Sequence, residues 1–164
     1  MLMAGRAAKR QALKARRESS HSATERAYLA GLIDGEGSIR IQRRGAAGGK
    51  TFRPGQYTAM VEMVNTDEQM IRWVQERWGG AVSHTPANPA ANRKAKWQWR
   101  VVADKVLPVL DDIFEFLRTK RQQAKLCRRF QRYAQVAGRR RDEKVEALHA
   151  TFHESLRVLN KRGL

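Results

Sequence analysis

The stretch from Thr24 to Gly37 constrains this chain more than any other part of it. Stepped at about 3.6 residues per turn, its part from Thr24 to Asp34 reads as a helix. Ala27, Ala30, Gly31 and Asp34 then share one face, and Tyr28, Leu29, Leu32 and Ile33 fill the other. A helix that is apolar all round is buried on every side. The bulky face suits the core of its own domain, whereas a face stripped to small residues lets a second helix backbone come close. No other segment has a matching small face, so the simplest partner is the same helix of a second copy, packed about a two-fold axis. Ser22 or Thr24 is the expected N-cap, with Glu25 complementing the dipole in the first turn. The helix is expected to run to about Asp34, stopped by Gly35 and Gly37.

Downstream, the apolar period switches between two and about 3.6 residues. Ser38–Arg43 alternates Ile39 and Ile41 with Arg40 and Gln42, a half-buried strand. The Gly-rich piece Gly45–Gly55 reads as a loop. Tyr57–Val64 resumes strand character, with Tyr57, Ala59, Val61 and Met63 on one side and Thr58, Met60 and Glu62 on the other. Asn65-Thr66-Asp67 opens a second helix to about Trp78, with Met70, Ile71, Val74 and Trp78 on its buried face, ended by Gly79-Gly80. A short strand at Ala81–His84 follows. Lys96–Val102 then alternates Trp97, Trp99 and Val101 with Lys96, Gln98 and Arg100. The rest reads as helices: Asp104–Leu117, a basic Lys120–Ala137 ended by Gly138, and Asp142 to about Lys161 with a Val145, Leu148, Phe152, Leu156, Leu159 stripe. This order predicts an α+β fold. A four-stranded antiparallel sheet carries helices on one face and leaves the other polar and basic.

Charge narrows the partner. The 164 residues carry 33 Lys and Arg against 16 Asp and Glu, a formal net charge of +17. Such an excess points first to nucleic acid and second to an anionic membrane surface. No apolar run approaches the roughly 20 residues needed to span a bilayer, and the N-terminus lacks a signal-peptide core. The single Cys127 excludes an internal disulfide and fits a reducing compartment. Residues 1–21 read as a basic arm, rich in Arg and poor in acid. Residues 22–164 read as one domain with C-terminal helices. Arg118–Arg141 holds ten basic residues and no acid, suited to phosphate contacts.

At the foot of the first helix stand Asp34, Gly35 and Glu36. Two copies would bring two of each carboxylate to a symmetry axis. Clustered carboxylates repel unless a cation lies among them, and magnesium prefers such oxygens. A bound metal pair activates water and steadies a phosphodiester's leaving oxygen.

Leu29 to Gly37 reads LAGLIDGEG, which resembles the signature of the LAGLIDADG homing endonucleases and departs from it only in the last acidic block. The element order resembles that family's αββαββα core. Asn65-Thr66-Asp67 and Lys120-Arg121-Gln122-Gln123-Ala124 resemble its segments around the second helix and the basic helix. The likeness covers roughly residues 24–137. It implies a single-motif, homodimeric endonuclease that cuts a long pseudo-palindromic duplex with Mg2+ (Mn2+ as substitute) and leaves short 3′ overhangs. Glu36 is then the metal-binding catalytic carboxylate, in a position where most relatives have Asp, and the Gly35 carbonyl is a second ligand. Asn65 stands near the attacking water and Lys120 near the solvent network and phosphate. Asp34 suits capping a neighbouring helix at the interface, alongside Ala27, Ala30 and Gly31. The saddle-shaped sheet implies DNA contacts from Arg40, Gln42, Arg44, Arg53, Gln56, Thr58, Glu62, Ser83, Lys96, Gln98 and Arg100.

Two rival functions use the same fold: an RNA-binding intron maturase, and a DNA-binding regulator that does not cleave. Glu36 and Lys120 are both present, which favours cleavage. His149 and His153 are four apart on a helix but lack a third metal ligand, so they read as surface residues. The alternation around Trp97 and Trp99 makes them core rather than a base-stacking platform.

Overall fold

A computed structural model describes residues 20–44, 56–137 and 142–161. Its first helix, α1, spans Ala23–Glu36. Ser22 decides its start: the hydroxyl accepts from the Glu25 N–H at 3.2 Å while the Glu25 carboxylate accepts from the Ser22 N–H at 2.8 Å. This reciprocal capping box satisfies two otherwise orphaned donors. The helix passes through Gly35, which was expected to stop it, and ends only at Gly37. The Gly37 N–H closes back on the Ile33 carbonyl. A Cβ on Gly37 would lie 2.7 Å from the Ile33 Cα. The absence of a side chain therefore lets the helix turn directly into a strand.

That strand, β1 (Gly37–Arg44), pairs antiparallel with β2 (Gln56–Asn65). Asp67 caps α2 (Glu68–Trp78) by accepting from the Met70 N–H at 3.1 Å. Gly79 and Gly80, both at positive φ, lead into β3 (Ala81–Thr85) and then β4 (Lys96–Val102). The sheet order is β1-β2-β4-β3, antiparallel throughout. Ile39 faces Val61, Val61 faces Val101 and Met63 faces Trp99. The period-two alternation therefore stacks one buried row across three strands. Trp99 is fully buried and donates its indole N–H to the Gly79 carbonyl at 2.7 Å. Trp97 is half-buried against the His84 ring.

The C-terminal helices depart in detail from the sequence expectation. Where one helix was expected over Asp104–Leu117, a 3-10 turn at Ala103–Lys105 precedes α3 (Val106–Ile113), and Leu117 is buried beyond its end. Ala103 sits at φ +54°, a left-handed kink that delays the helix. Pro108, in the first turn, forfeits no bond there. Helix α4 spans Arg121–Ala137 and α5 spans Glu143–Lys161. Gly138, the expected terminator, lies outside the described residues. Along α5 Val145 and Leu156 are buried, and His149, Phe152 and Leu159 are half-buried on the same side. Leu148 is 37% exposed instead of packed. His149 and His153 are half-buried rather than fully exposed: they pack on the Tyr57 ring, and His149 also on Phe130 and Tyr133.

Of the expected basic arm, Ser20 and His21 are described. The His21 ring lies 2.7 Å from Asp112 and 2.9 Å from the Arg77 carbonyl, against the face of Trp78. The last residue assigned to the arm thus docks on the domain.

Candidate functional site

The site is built where α1 ends and β2 ends. Glu36, the last residue of α1, is exposed. Gly37 pairs with Met63 in the sheet, so the register brings the end of β2 alongside Glu36. There Asn65 donates its Nδ2 to the Glu36 Oε2. The Asn65 Oδ1 accepts from the Asp67 N–H at 2.8 Å, which fixes the amide's orientation. Asn65 is therefore a strand-end amide that holds Glu36, not the helix cap. The cap is Asp67.

Asp34 and Lys120 form a second tie. The Asp34 carboxylate accepts from the backbone N–H groups of Arg118 at 2.6 Å and Lys120 at 2.9 Å, at the entrance to α4. Partial burial pushes this carboxyl up, but the donors at Arg118, Lys120 and Thr119 outweigh it and hold the group below the ordinary aspartate range. Within one chain, Asp34 therefore holds the segment that leads into α4. In return, the Lys120 ammonium donates to the Ile33 carbonyl at 3.0 Å and the Asp34 carbonyl at 2.6 Å. These carbonyls belong to the last turn of α1, where a cation is favoured. Nothing local in the sequence signals this contact, which spans more than 80 residues.

The outward side of α1 differs in phase from the sequence expectation. Ala30 is fully buried in the core and drops out of the small face, while Tyr28 is 50% exposed and joins it. Thr24, Ala27, Tyr28, Gly31 and Gly35 make up the exposed stripe. A Cβ at Gly31 or Gly35 would meet nothing within 4 Å.

The sheet's outer face carries the remaining expected residues. Gln42, Ser83, Lys96 and Arg100 are exposed, and Arg40, Gln56 and Gln98 are half-buried. Arg53 and the Arg44 side chain fall outside the described residues. Thr58 and Glu62 are buried at 8% each; β2 is an inner strand, and the Arg40, Arg100 and Gln98 side chains lie over Glu62. Two expected base readers are thus covered. Met60 shares their face and is also buried, an apolar floor that the sequence reading did not assign a role.

The chemistry on offer is spare. Among the described residues no three His, Cys, Asp or Glu side chains cluster as a metal site. One chain offers the Glu36 carboxylate and the neighbouring Gly35 carbonyl, both exposed. That set fits part of a magnesium shell, because magnesium commonly takes one or two carboxylates and completes its shell with waters and substrate phosphates. No helix among the described residues is long and apolar enough to cross a membrane.

No protein-family model matches the chain, and no curated protein sequence does. Solved structures match clearly. The homing endonuclease I-CvuI, in complex with its target, superposes with a TM-score of 0.68 at 20% identity, covering 83% of this chain and 82% of its own. An archaeal intron-encoded homing endonuclease complexed with DNA gives 0.67 at 14% identity, covering 86% and 87%. The LAGLIDADG homing endonuclease I-GzeII gives 0.58 at 13% identity, covering 80% of this chain but 43% of its own. The fold is that of the LAGLIDADG homing endonucleases, in its single-unit form. The LAGLIDGEG segment falls on α1 and its exit, as the resemblance implied.

Proposed function

We propose that this chain is a site-specific endonuclease of double-stranded DNA, active as a homodimer joined through α1. The observation that carries the reading is the Glu36–Asn65 pair. An exposed carboxylate, oriented by an amide, stands at the end of a small-faced helix beside a basic sheet. The solved structures of this fold described above include complexes with DNA, and a further complex of I-CvuI was crystallised in the presence of magnesium, with its DNA uncleaved.

In this reading the sheet's outer face lies in the major groove, where base edges present an unambiguous pattern. Arg and Lys of the exposed α4 surface contact phosphates and set register. Packing of two α1 stripes brings two Glu36 carboxylates together under the duplex. Glu36 and the Gly35 carbonyl would hold a divalent cation, which when bound supplies Lewis acidity and an activated water. Asn65 keeps the Glu36 carboxylate turned toward that position. Lys120 ties down the last turn of α1, so both oxygen donors stay in place, and brings positive charge near the scissile phosphate. Cleavage across the minor groove then leaves short 3′ overhangs.

The test uses the purified full chain with magnesium and a plasmid library carrying the flanks of its own insertion site. Cutting by wild type and loss of cutting with retained binding in Glu36→Gln are the expected results. Equal cutting by Glu36→Gln overturns the catalytic assignment. Sequence-specific binding without any cutting would favour a regulator.

A further inference from the structure

Glu62 stands out on the outer face of the sheet. It is the sole acid among the described residues that share that face, in a chain of net charge +17. Its side chain is 10% exposed, while Arg40 and Arg100 on either side are each 43% exposed. Arg40 Nη2 lies 2.5 Å from Oε1, Arg100 Nε lies 3.3 Å from Oε2, and Gln98 Nε2 donates to Oε2 at 2.8 Å. Arg40 Nη2 also rests 3.5 Å from the Met60 sulfur.

We propose that Glu62 is a positioning residue for base recognition, which sets the Arg40 and Arg100 guanidinium groups and the Gln98 amide from beneath. The proposal rests on the duplex-DNA reading above. A carboxylate that itself read cytosine would need open oxygens. Both oxygens here already accept, and the Arg40, Arg100 and Gln98 side chains cover them. Nor does an acid on this face help generic attraction to phosphate, which an all-basic surface would serve better. Its geometry serves selectivity instead. Arg side chains lose conformational freedom on binding unless already held, and holding them removes that cost. The amide is constrained even further. Only its nitrogen can donate to a carboxylate, so the bond to Glu62 commits the Gln98 nitrogen and leaves the carbonyl oxygen as the group that can accept from a base.

The register explains why one residue reaches all three. Glu62 lies directly opposite Arg100, one diagonal step from Arg40 and one from Gln98. Diagonal neighbours on a sheet are within reach of long side chains.

The experiment selects bound sequences from a randomised duplex library, with calcium replacing magnesium. It compares wild type with Glu62→Gln, Glu62→Asp, the Arg40→Ala/Arg100→Ala pair, and the triple variant. Affinity for the selected site and for unrelated duplex is measured for each. In Glu62→Gln, unrelated duplex is expected to bind more tightly while discrimination falls about tenfold, comparable to losing one well-placed base contact. The lost positions should be those lost in the double Arg variant, and Glu62→Gln should change nothing further in that background. Glu62→Asp keeps the charge but shortens the reach, so discrimination should fall there too. Uniformly tighter binding with unchanged discrimination would overturn the proposal, as would loss at a base pair that the Arg variants leave untouched. A wild type with no preference among duplexes would overturn the DNA reading itself, and the proposal with it.

Discussion

Asn65 holds Glu36 with one end of its amide and the N–H of Asp67 with the other. A strand end, a helix end and a helix start are thereby joined through one side chain. Removing the amide should misplace the carboxylate without unfolding the chain, since Asn65 lies outside the buried core. Asn65→Ala is expected to lower single-turnover cleavage by about 10–100-fold, the usual cost of losing an orienting contact to a metal ligand. Glu36→Gln should exceed the upper end of that range. Duplex affinity in calcium, read by mobility shift, should change little in either.

The exposed stripe of α1 gives a test of assembly. Gly31 has open space around it in the single chain, and replacing a mid-helix glycine gains about 0.5–1 kcal/mol in helix stability. Gly31→Leu should therefore leave thermal stability unchanged or raised, yet convert a dimer to monomer in sedimentation. A wild type that sediments as a monomer at every concentration would sink the shared-helix reading. Gly37→Ala should behave in the opposite way. Its Cβ would meet the Ile33 backbone at 2.7 Å, so folding stability should fall by about 1–3 kcal/mol.

Acid stability should report on Asp34. Its carboxyl is held below the ordinary range in the folded chain, so the unfolded state takes up the proton first. The stabilisation is complete at neutral pH. It is lost as pH falls from the ordinary carboxylate range through the lowered folded value. Urea midpoints measured across that window should drop for wild type and flatten for Asp34→Ala.

His149 should act at milder pH. Burial lowers its pKa, and its Nε2 is enclosed without a hydrogen-bond partner, so folding disfavours the protonated ring. The unfolded chain protonates it first, near the ordinary histidine pKa of about 6.5. Stability is therefore lost as pH falls from that point through the folded value. His149→Phe should remove that part of the slope, as read by thermal melts.

Cys127 offers a probe of opening. It is fully buried in the core, where burial pushes its thiol up to about 12. The thiolate is the reactive form, so alkylation at neutral pH should wait for unfolding. Labelling as fast as a small thiol would contradict the packing of α4 against the sheet.

The sheet was legible because its signal is binary. Ile39, Ile41 and Trp99 alternate with polar neighbours, and a slip of one residue would invert them all. Helix α1 was harder for the opposite reason. It is apolar all round, so side-chain size alone set its phase, and Ala30 and Tyr28 were exchanged between faces. Glu36 stands out through the motif, and Asn65 through the separate likeness of Asn65-Thr66-Asp67 to the entry of the second helix. The clasp between Lys120 and the α1 carbonyls, and the burial of Glu62, were not. Both arise from contacts between segments distant in sequence, where nothing in the local pattern changes.

The C-terminal helix also meets a strand edge. The Asn160 amide donates to the Ile39 carbonyl at 3.1 Å, on the side of β1 away from β2, and Leu156 is buried beneath it. Unpaired strand edges template aggregation unless covered. β1 has eight residues whereas β3, the other edge, has only five. Helix α5 is therefore a guard on the longer edge, and a chain shortened before Glu143 should self-associate into β-rich aggregates even with its α1–β2 site residues intact.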